Sequence, residues 1–375
     1  MVLIIDCFKL VKGAGKSIGI YNLTLNLVRN LVRTREFSEH EAIRECNIIA
    51  LGNKHNRQDF EIEGVQFQEM PYNPLDKIFC IYWELFLVKK YYKRFQGDRI
   101  IFPRGFAPFS RKLNDIIIVH DMIPFYYHKN FPGYFNRLEN FYVMNRLKGS
   151  IKKCKKVITI SNASKKEILD ISHINPNKIS VIYNGCNRIV KEKIKEQDDF
   201  AKNGYLFAVT SSLPHKNAAG ILRAYERYCE TCEEPEKLLL LGVENQGETA
   251  ISQKAAERIT YIKYIKENSR MYAAMKGAKA FLFLSLAEGF GFPPIEAMQL
   301  GVPVICSNLS SLPEVVGDSA VLVNPQEAGE VGNAILKLLS DKEKQRELVE
   351  KGYENIKRFD WDKTAKEYWN EIYKL

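Results

Sequence analysis

The chain has 375 residues, 46% hydrophobic and 27% charged, with a net charge of +10. One core rarely grows past ~250–300 residues, so two domains are expected, and the composition excludes a disordered, collagenous or coiled-coil chain. No stretch approaches the ~18 uncharged apolar residues of a membrane-spanning helix, and the opening Met1–Asp6 reads as a strand, without the basic lead of a secretory leader.

Strand-like and helix-like segments alternate along the chain. Residues 2–6 read as a strand, followed by an amphipathic helix over 18–32 with Leu23, Leu27 and Leu31 at helical spacing. Strands are expected at 46–51, 65–69, 99–102, 116–119, 156–160 and 179–183, and helices at 78–95 and 135–153. The pattern breaks near residue 186, and the charged stretch 189–203 reads as a linker. A second series follows, with strands at 205–209, 237–241, 259–262, 280–284, 302–306 and 320–323 and helices at 217–228 and 269–276. Such alternation implies parallel βαβ units with helices on both faces. The expected domains are 1–188 and 204–358, with a terminal helix at 359–375 packing back toward the first. A ligand is expected in the cleft between two such domains, at the carboxyl ends of the strands.

The charge is uneven. Residues 1–190 hold 30 Lys and Arg against 17 Asp and Glu, and the remainder 25 against 28. A basic half suits nucleic acid, an anionic membrane or phosphorylated substrates. No nucleic-acid motif is present, so no nucleic-acid partner is expected. The eight cysteines are scattered, several (Cys7, Cys46, Cys306) in strand-like runs, which fits reduced, mostly buried cytosolic thiols. Cys229 and Cys232 form a lone C-x-x-C without a second ligand pair, so no metal is expected there. Asp360 reads as an N-cap of the last helix, in preference to a metal-binding pair with Asp362.

Residues 281–298, FLFLSLAEGFGFPPIEAM, carry the most information. A buried strand ends at Ser285, a glycine-bearing loop follows, and a helix opens with prolines in its first turn, where a missing N–H is tolerated. A helix start offers N–H groups and positive dipole to an anion. Gly289 and Gly291 let the backbone approach a ligand closely. Glu288 and Glu296 flank that anion site with seven residues between them. Carboxylates suit paired hydroxyls, so the segment can hold a sugar, a diphosphate and a ribose in line. Gly13-Ala14-Gly15-Lys16-Ser17 superficially suggests a P-loop, but Leu10 stands where its first glycine belongs.

The 281–298 segment resembles the E-x7-E signature of the family 4 (group 1) retaining glycosyltransferases of the GT-B architecture. Gly301–Ile305 with Leu312-Pro313-Glu314-Val315 is similar to the family's next strand and loop. Val157–Ser161 with Asn184-Gly185 resembles the end of its N-terminal domain, and Tyr205 through Lys216-Asn217 its first C-terminal strand and phosphate loop. Val119-His120-Asp121-Met122-Ile123-Pro124 is similar to the strand end of bacterial polysaccharide mannosyltransferases. The resemblance implies an α/β fold, GT-B, with two doubly wound Rossmann-like domains facing a cleft.

It also implies roles. Glu288 would bind donor-sugar hydroxyls and Glu296 the nucleotide ribose. The backbone of Gly289, Phe290, Gly291 and Phe292 would meet the sugar and diphosphate, and Lys216 would neutralise the departing diphosphate. His120 would sit under the anomeric centre and act through its side chain or backbone, with Asp121 acting directly or orienting it. The loop Gly13, Gly15, Lys16 and Ser17 would lie near the phosphates and acceptor. Many members carry an Arg near Lys216. Here Ser212 or His215 occupies its place, so the charge is expected from Lys16 or Arg104.

The implied reaction transfers a hexose, GDP-mannose being the favoured donor, with retention at the anomeric carbon. Placement and charge stabilisation dominate such catalysis. No cofactor or metal is expected, since the helix dipole at 292–295 and Lys216 would stabilise the leaving group; the nucleotide-sugar is a co-substrate. The alternatives are a sugar-nucleotide epimerase and a non-catalytic nucleotide-binding partner subunit. Residues 78–94 mix aromatics with cations, and Lys148, Lys152, Lys153, Lys155 and Lys156 add a second basic cluster. Phe125, Tyr126, Tyr127 and Phe131 look exposed. These features suggest a cytoplasmic protein docked peripherally on an anionic membrane surface, with a lipid-linked or oligosaccharide acceptor.

Overall fold

The structure is a computed structural model, which describes residues 1–13, 18–109, 113–189, 194, 204–247 and 249–375. Most of the expected linker, together with Gly15, Lys16 and Ser17, lies outside the described residues. The chain divides into an N-terminal unit, Met1–Gly185 with Phe359–Leu375, and a C-terminal unit, Cys186–Arg358.

The N-terminal unit is built on β1 (Val2–Asp6), β2 (Asn47–Gly52), β3 (Val65–Glu69), β4 (Arg99–Phe102), β5 (Asp115–Val119), β6 (Lys156–Thr159) and β7 (Ile179–Val181). They form a parallel sheet in the order β3-β2-β1-β4-β5-β6-β7. The two-residue period of a strand sends alternate side chains to opposite faces. Leu3, Ile5, Ile116 and Ile118 pack with Tyr21, Leu27 and Leu31 on one face. Ile4, Ile100, Ile117 and Val119 pack with Trp83, Leu147 and Ile151 on the other. Both faces are covered, which explains why the strands read as apolar runs without alternation.

The C-terminal unit repeats the plan with β8 (Tyr205–Val209), β9 (Leu238–Leu241), β10 (Ile259–Ile262), β11 (Ala278–Phe283), β12 (Val304–Ser307) and β13 (Val321–Val323). Its parallel order is β10-β9-β8-β11-β12-β13. Leu206, Leu240 and Leu282 face one core, and Phe207, Leu239 and Phe281 the other. The chain direction of growth reverses at β1/β4 in the first sheet and at β8/β11 in the second. Loops after those strands spread apart and leave room for a ligand.

The last helix, Trp361–Tyr373, belongs to the N-terminal unit. The Asp360 carboxylate caps it, accepting from the backbone N–H of Asp362 and Lys363 at 2.8 and 3.1 Å. The helix is fastened by Trp369 Nε1 donating to Leu31 O, Thr364 Oγ1 donating to Tyr183 O, and a 2.7 Å Lys156–Glu371 ion pair. Asp362 itself pairs with Arg33.

Two expectations change. The helix over 78–95 is not uniform: Lys77–Tyr82 and Val88–Arg94 are α-helical, and Trp83–Leu87 between them is a π-turn. The wider turn lets two consecutive residues go inward. Trp83 donates its indole N–H to the Asp6 carboxylate, and buried Glu84 meets Lys9 at 2.7 Å and Arg146 at 3.5 Å. The aromatics after β5 are not exposed. Tyr127 is buried and Phe125, Tyr126 and Phe131 are half-buried, because Tyr127 gathers Phe131, Tyr134 and Phe135 around its ring at 4.6–5.5 Å. Six of the eight cysteines are buried, and Cys186 and Cys232 are half-buried.

Candidate functional site

The second sheet's switch point places two loops side by side. After β8 the chain makes a short 3-10 turn, Pro214–Lys216, and Asn217 then caps the helix Ala218–Thr231 with φ +58°. Asn217 accepts from Gly220 N and donates through its amide to Leu284 O at 2.9 Å and Pro325 O at 3.1 Å. Leu286 N donates to His215 O at 2.7 Å, and Thr210 Oγ1 donates to Lys216 O at 2.9 Å. The loops after β8 and β11 are thus tied at the backbone, and their side chains meet. Lys216 Nζ lies 2.6 Å from Glu288 Oε1, with both side chains partly shielded from water.

Glu288 is held from the loop after β12. Ser310 Oγ bonds both the N–H and C=O of Glu288, and Ser311 Oγ donates to the carbonyls of Glu288 and Phe290. Gly291 follows at φ +118°, a conformation that needs glycine, and a Cβ there would sit 2.6 Å from Leu312 Cδ2. It opens the helix Phe292–Gln299. Pro293 and Pro294 carry no N–H, so of the first three helical positions only Phe292 offers one to an anion. Gly289 and Phe290 are buried in the same loop, and Phe292 is half-buried.

Glu296 sits one turn further on, half-buried, with Tyr272 Oη 3.3 Å from its Oε1. Burial pushes its carboxyl up to about 7, opposed by the Tyr272 hydrogen bond. Next to it, Gln299 Nε2 reaches Cys186 Sγ and Asn187 O, while its Oε1 accepts from Ile189 N. Ser212 is exposed. His215 is buried, and burial, with help from neighbouring Lys216, pulls its imidazole down to about 4. A neutral ring therefore stands beside Lys216, and His215 does not replace the arginine charge.

In the N-terminal unit, His120 follows directly on β5. Its Nε2 lies 2.8 Å from Pro103 O, and its main-chain carbonyl accepts from Ser164 Oγ at 3.3 Å. Burial pulls its imidazole down to about 4. The Asp121 carboxylate accepts from Ile123 N at 3.0 Å and so shapes the turn into the helix Ile123–Asn130. Arg104 donates to Lys9 O at 3.1 Å. Gly13 has φ +77°, with no atom of the described residues within 4 Å of where a Cβ would stand, and Gly15, Lys16 and Ser17 lie outside the described residues. Two buried asparagines hold the preceding turn: Asn53 bonds Phe8 O and Leu10 O, and Asn56 bonds Cys7 O and Leu10 O.

Lys216, Glu288, Gly291 and Glu296 therefore share one strand-end region of the C-terminal unit, and His120 and Asp121 share another in the N-terminal unit. Sequence reasoning assigned no role to Asn217, Tyr272, Gln299, Ser310 or Ser311. Asn217 had a local signal, an asparagine before a helix. The serines had none, because their partners lie 20 or more positions away. Among the described residues, no cluster of three or more His, Cys, Asp or Glu side chains could hold a metal ion, and no helix is long and apolar enough to cross a membrane.

The two units correspond to two family domains. Residues 22–188 match the domain described as Glycosyltransferase Family 4, and residues 190–355 that described as Glycosyl transferases group 1. The O-antigen chain mannosyltransferase RfbU of Salmonella typhimurium is 29% identical over 255 residues, covering 66% of each chain. The O-antigen chain mannosyltransferase B of Escherichia coli is 29% identical over 249 residues, covering 62% of this chain and 64% of its own. The chain spans a little under two thirds of the length of these relatives. Solved structures agree on the fold. WaaG, a glycosyltransferase involved in lipopolysaccharide biosynthesis, superposes with TM-score 0.68 at 12% identity, covering 99% of both chains. Sucrose-phosphate synthase from Thermosynechococcus elongatus does so with TM-score 0.68 at 18% identity, covering 100% of this chain and 98% of its own. These comparisons give the epimerase alternative no support. With a doubly wound sheet in each unit and both family domains matched in order, the chain belongs to the group 1 glycosyltransferases of the GT-B architecture.

Proposed function

We propose that the protein is a retaining mannosyltransferase that takes mannose from GDP-mannose and extends a lipid-linked surface glycan. The observation that carries the reading is the Lys216–Glu288 pair, 2.6 Å apart at the switch point, with Glu296 on the helix beyond. A bound donor divides that pair. The diphosphate takes the Lys216 ammonium and the Phe292 N–H, and sugar hydroxyls take the Glu288 carboxylate. Glu296 receives the ribose hydroxyls. The two O-antigen mannosyltransferase relatives favour mannose as the sugar and a polysaccharide as the product.

In the transfer, the bond from the anomeric carbon to the diphosphate oxygen breaks and a bond to the acceptor hydroxyl oxygen forms on the same face. The departing phosphate oxygen takes the hydroxyl proton. Lys216 stabilises the leaving charge, and Glu288 fixes the ring for the oxocarbenium-like transition state. Incubation with GDP-mannose, UDP-glucose, UDP-N-acetylglucosamine and dTDP-rhamnose over a lipid-linked acceptor tests the donor. Turnover with GDP-mannose and an α-anomeric product signal is expected. Transfer from another donor overturns the mannose assignment, and a β-linked product overturns retention.

The same reading includes peripheral membrane docking. Ile78, Tyr82 and Phe86 lie on the outer side of one helical run, 49–81% exposed, and Leu138 and Phe141 on another, 81% and 65% exposed. A 3.5 Å Lys77–Glu139 pair joins the starts of these runs. Exposed Lys90, Lys93, Arg94, Lys152 and Lys153 lie further along them. Large apolar side chains beside cations suit the boundary of an anionic bilayer.

A further inference from the structure

Three buried polar atoms of the N-terminal unit have no hydrogen-bond partner among the described residues, yet they come from segments that converge: His120 Nδ1, Asn184 Nδ2 and Trp361 Nε1. All three residues line one small cavity of about 10 Å³, whose wall also includes Leu23, Thr24, Leu27, Ile118 and Tyr368. Asn184 and Trp361 are 4% and 8% exposed. A buried polar group left unmatched is destabilising, so three around one space call for a shared partner.

The chemistry of the three atoms identifies it. The Pro103 carbonyl can only accept, so its 2.8 Å contact puts the ring proton of His120 on Nε2. His120 Nδ1 is then an acceptor. Trp361 Nε1 can only donate, and the Asn184 amide nitrogen also donates. One acceptor and two donors match a water molecule, which accepts twice and donates to Nδ1. Its second hydrogen can reach Thr24 Oγ1, whose own proton goes to Ile20 O at 2.7 Å. A cavity of this size holds about one water.

We propose that Asn184 and Trp361 position His120 through one buried water, which makes the returning C-terminal segment part of the apparatus that sets the strand end after β5. Both ring nitrogens of His120 are then engaged within the unit. The imidazole acts as a brace, and His120 meets substrate through its main chain. Trp361 is itself fixed at the start of the last helix and pressed against Gly185, where a Cβ would lie 2.4 Å from Trp361 Cγ. The catalytic consequence rests on the transfer reading, whereas the hydrated brace does not.

The test separates the two. A crystal structure of the full chain should show one ordered water within hydrogen-bond distance of His120 Nδ1, Asn184 Nδ2 and Trp361 Nε1. ¹⁵N NMR of histidine-labelled protein should show His120 as the Nε2–H tautomer with a hydrogen-bonded Nδ1. Asn184→Leu, close in size but without a donor, should shift the Nδ1 resonance. It should lower kcat ~10-fold or more while KM for the donor stays within about twofold, because donor groups lie in the other unit. Asn184→Ser, whose hydroxyl and freed space admit a second water, should restore both readings. An empty cavity, an Nδ1–H tautomer or an unshifted Nδ1 in Asn184→Leu overturns the brace, even if that variant folds poorly, since the first two are read on the unaltered protein. A confirmed water with unchanged kcat in Asn184→Leu overturns only the link to transfer.

Discussion

At the scale of single residues the burial of Glu296 leaves a testable signature. Glu296 has its carboxyl pushed up to about 7 by burial, from an ordinary value near 4.5. Below about pH 4.5 the group is protonated in folded and unfolded chains alike and costs nothing. Between 4.5 and 7 the unfolded chain ionises first, so stability falls as pH rises, and above 7 the full cost of about 3 kcal/mol remains. Glu296→Gln removes that cost and keeps an acceptor for Tyr272. The variant should melt roughly 5 °C or more above the parent at pH 8 and equal it near pH 4, while binding nucleotide more weakly. Differential scanning calorimetry at the two pH values, with GDP titration, checks both halves. An equal melting temperature at pH 8 would show that Glu296 is not destabilising. Lys216→Ala tests the exchange of partners. Its pair is partly shielded, so stability should change by only ~1 kcal/mol, but affinity for a nucleoside diphosphate should fall ~10–100-fold. Calorimetric titration that finds undiminished affinity would remove Lys216 from the phosphate site.

At the scale of elements, the site is a set of loops pinned by side chains from elsewhere. Asn217 does this for two loops: it caps its own helix and donates to Leu284 O and Pro325 O. Asn217→Ala loses the cap, orphans two carbonyls and leaves φ +58° without the polar side chain that eases the left-handed conformation. A destabilisation of ~2–4 kcal/mol is expected, with at least a tenfold loss of transfer because Lys216 and Glu288 lose their common anchor. Asn217→Asp keeps the cap acceptor but not the amide donors, and should recover only part of the stability. Urea unfolding of the three proteins decides; a neutral Asn217→Ala would mean the loops are held without its side chain. The contrast shows what the sequence can and cannot express. The strands were legible because a sheet covered on both faces demands unbroken apolar runs, as in Leu238–Leu241. The turn after β11 was legible because Gly289, Gly291 and the two prolines are local punctuation. Ser310 and Ser311 were not, since nothing at their own positions says that Glu288 is their partner. The π-turn at Trp83–Leu87 arises from a distant demand too, the need to bring Glu84 to Lys9 and Arg146. The aromatics 125–131 were misjudged because a run of rings carries no direction until their neighbours Tyr134 and Phe135 are known.

At the scale of the whole molecule the proposed membrane docking would give the charge asymmetry of the N-terminal half a role. Lysines and arginines outnumber acids 30 to 17 over residues 1–190, and a plain solvated face would not need Ile78 and Leu138 beside them, each 81% exposed. Each cation near an anionic bilayer contributes ~1 kcal/mol, and the contribution fades over a Debye length of ~10 Å at 0.1 M salt. Apolar insertion adds a part that salt does not screen. The protein should therefore co-sediment with vesicles containing phosphatidylglycerol, ignore vesicles of phosphatidylcholine alone, and be released only in part at high salt. Ile78→Glu with Leu138→Glu should weaken binding at least tenfold without lowering the melting temperature, because neither side chain is packed. Reversing Lys152 and Lys153 to Glu should instead weaken the salt-dependent part and leave the salt-resistant part in place. Transfer to a soluble oligosaccharide should survive in both variants while transfer to a lipid-linked acceptor in membranes falls. If the native protein leaves anionic vesicles untouched at low salt, the docking surface is only a charged face and the acceptor reaches the enzyme from solution.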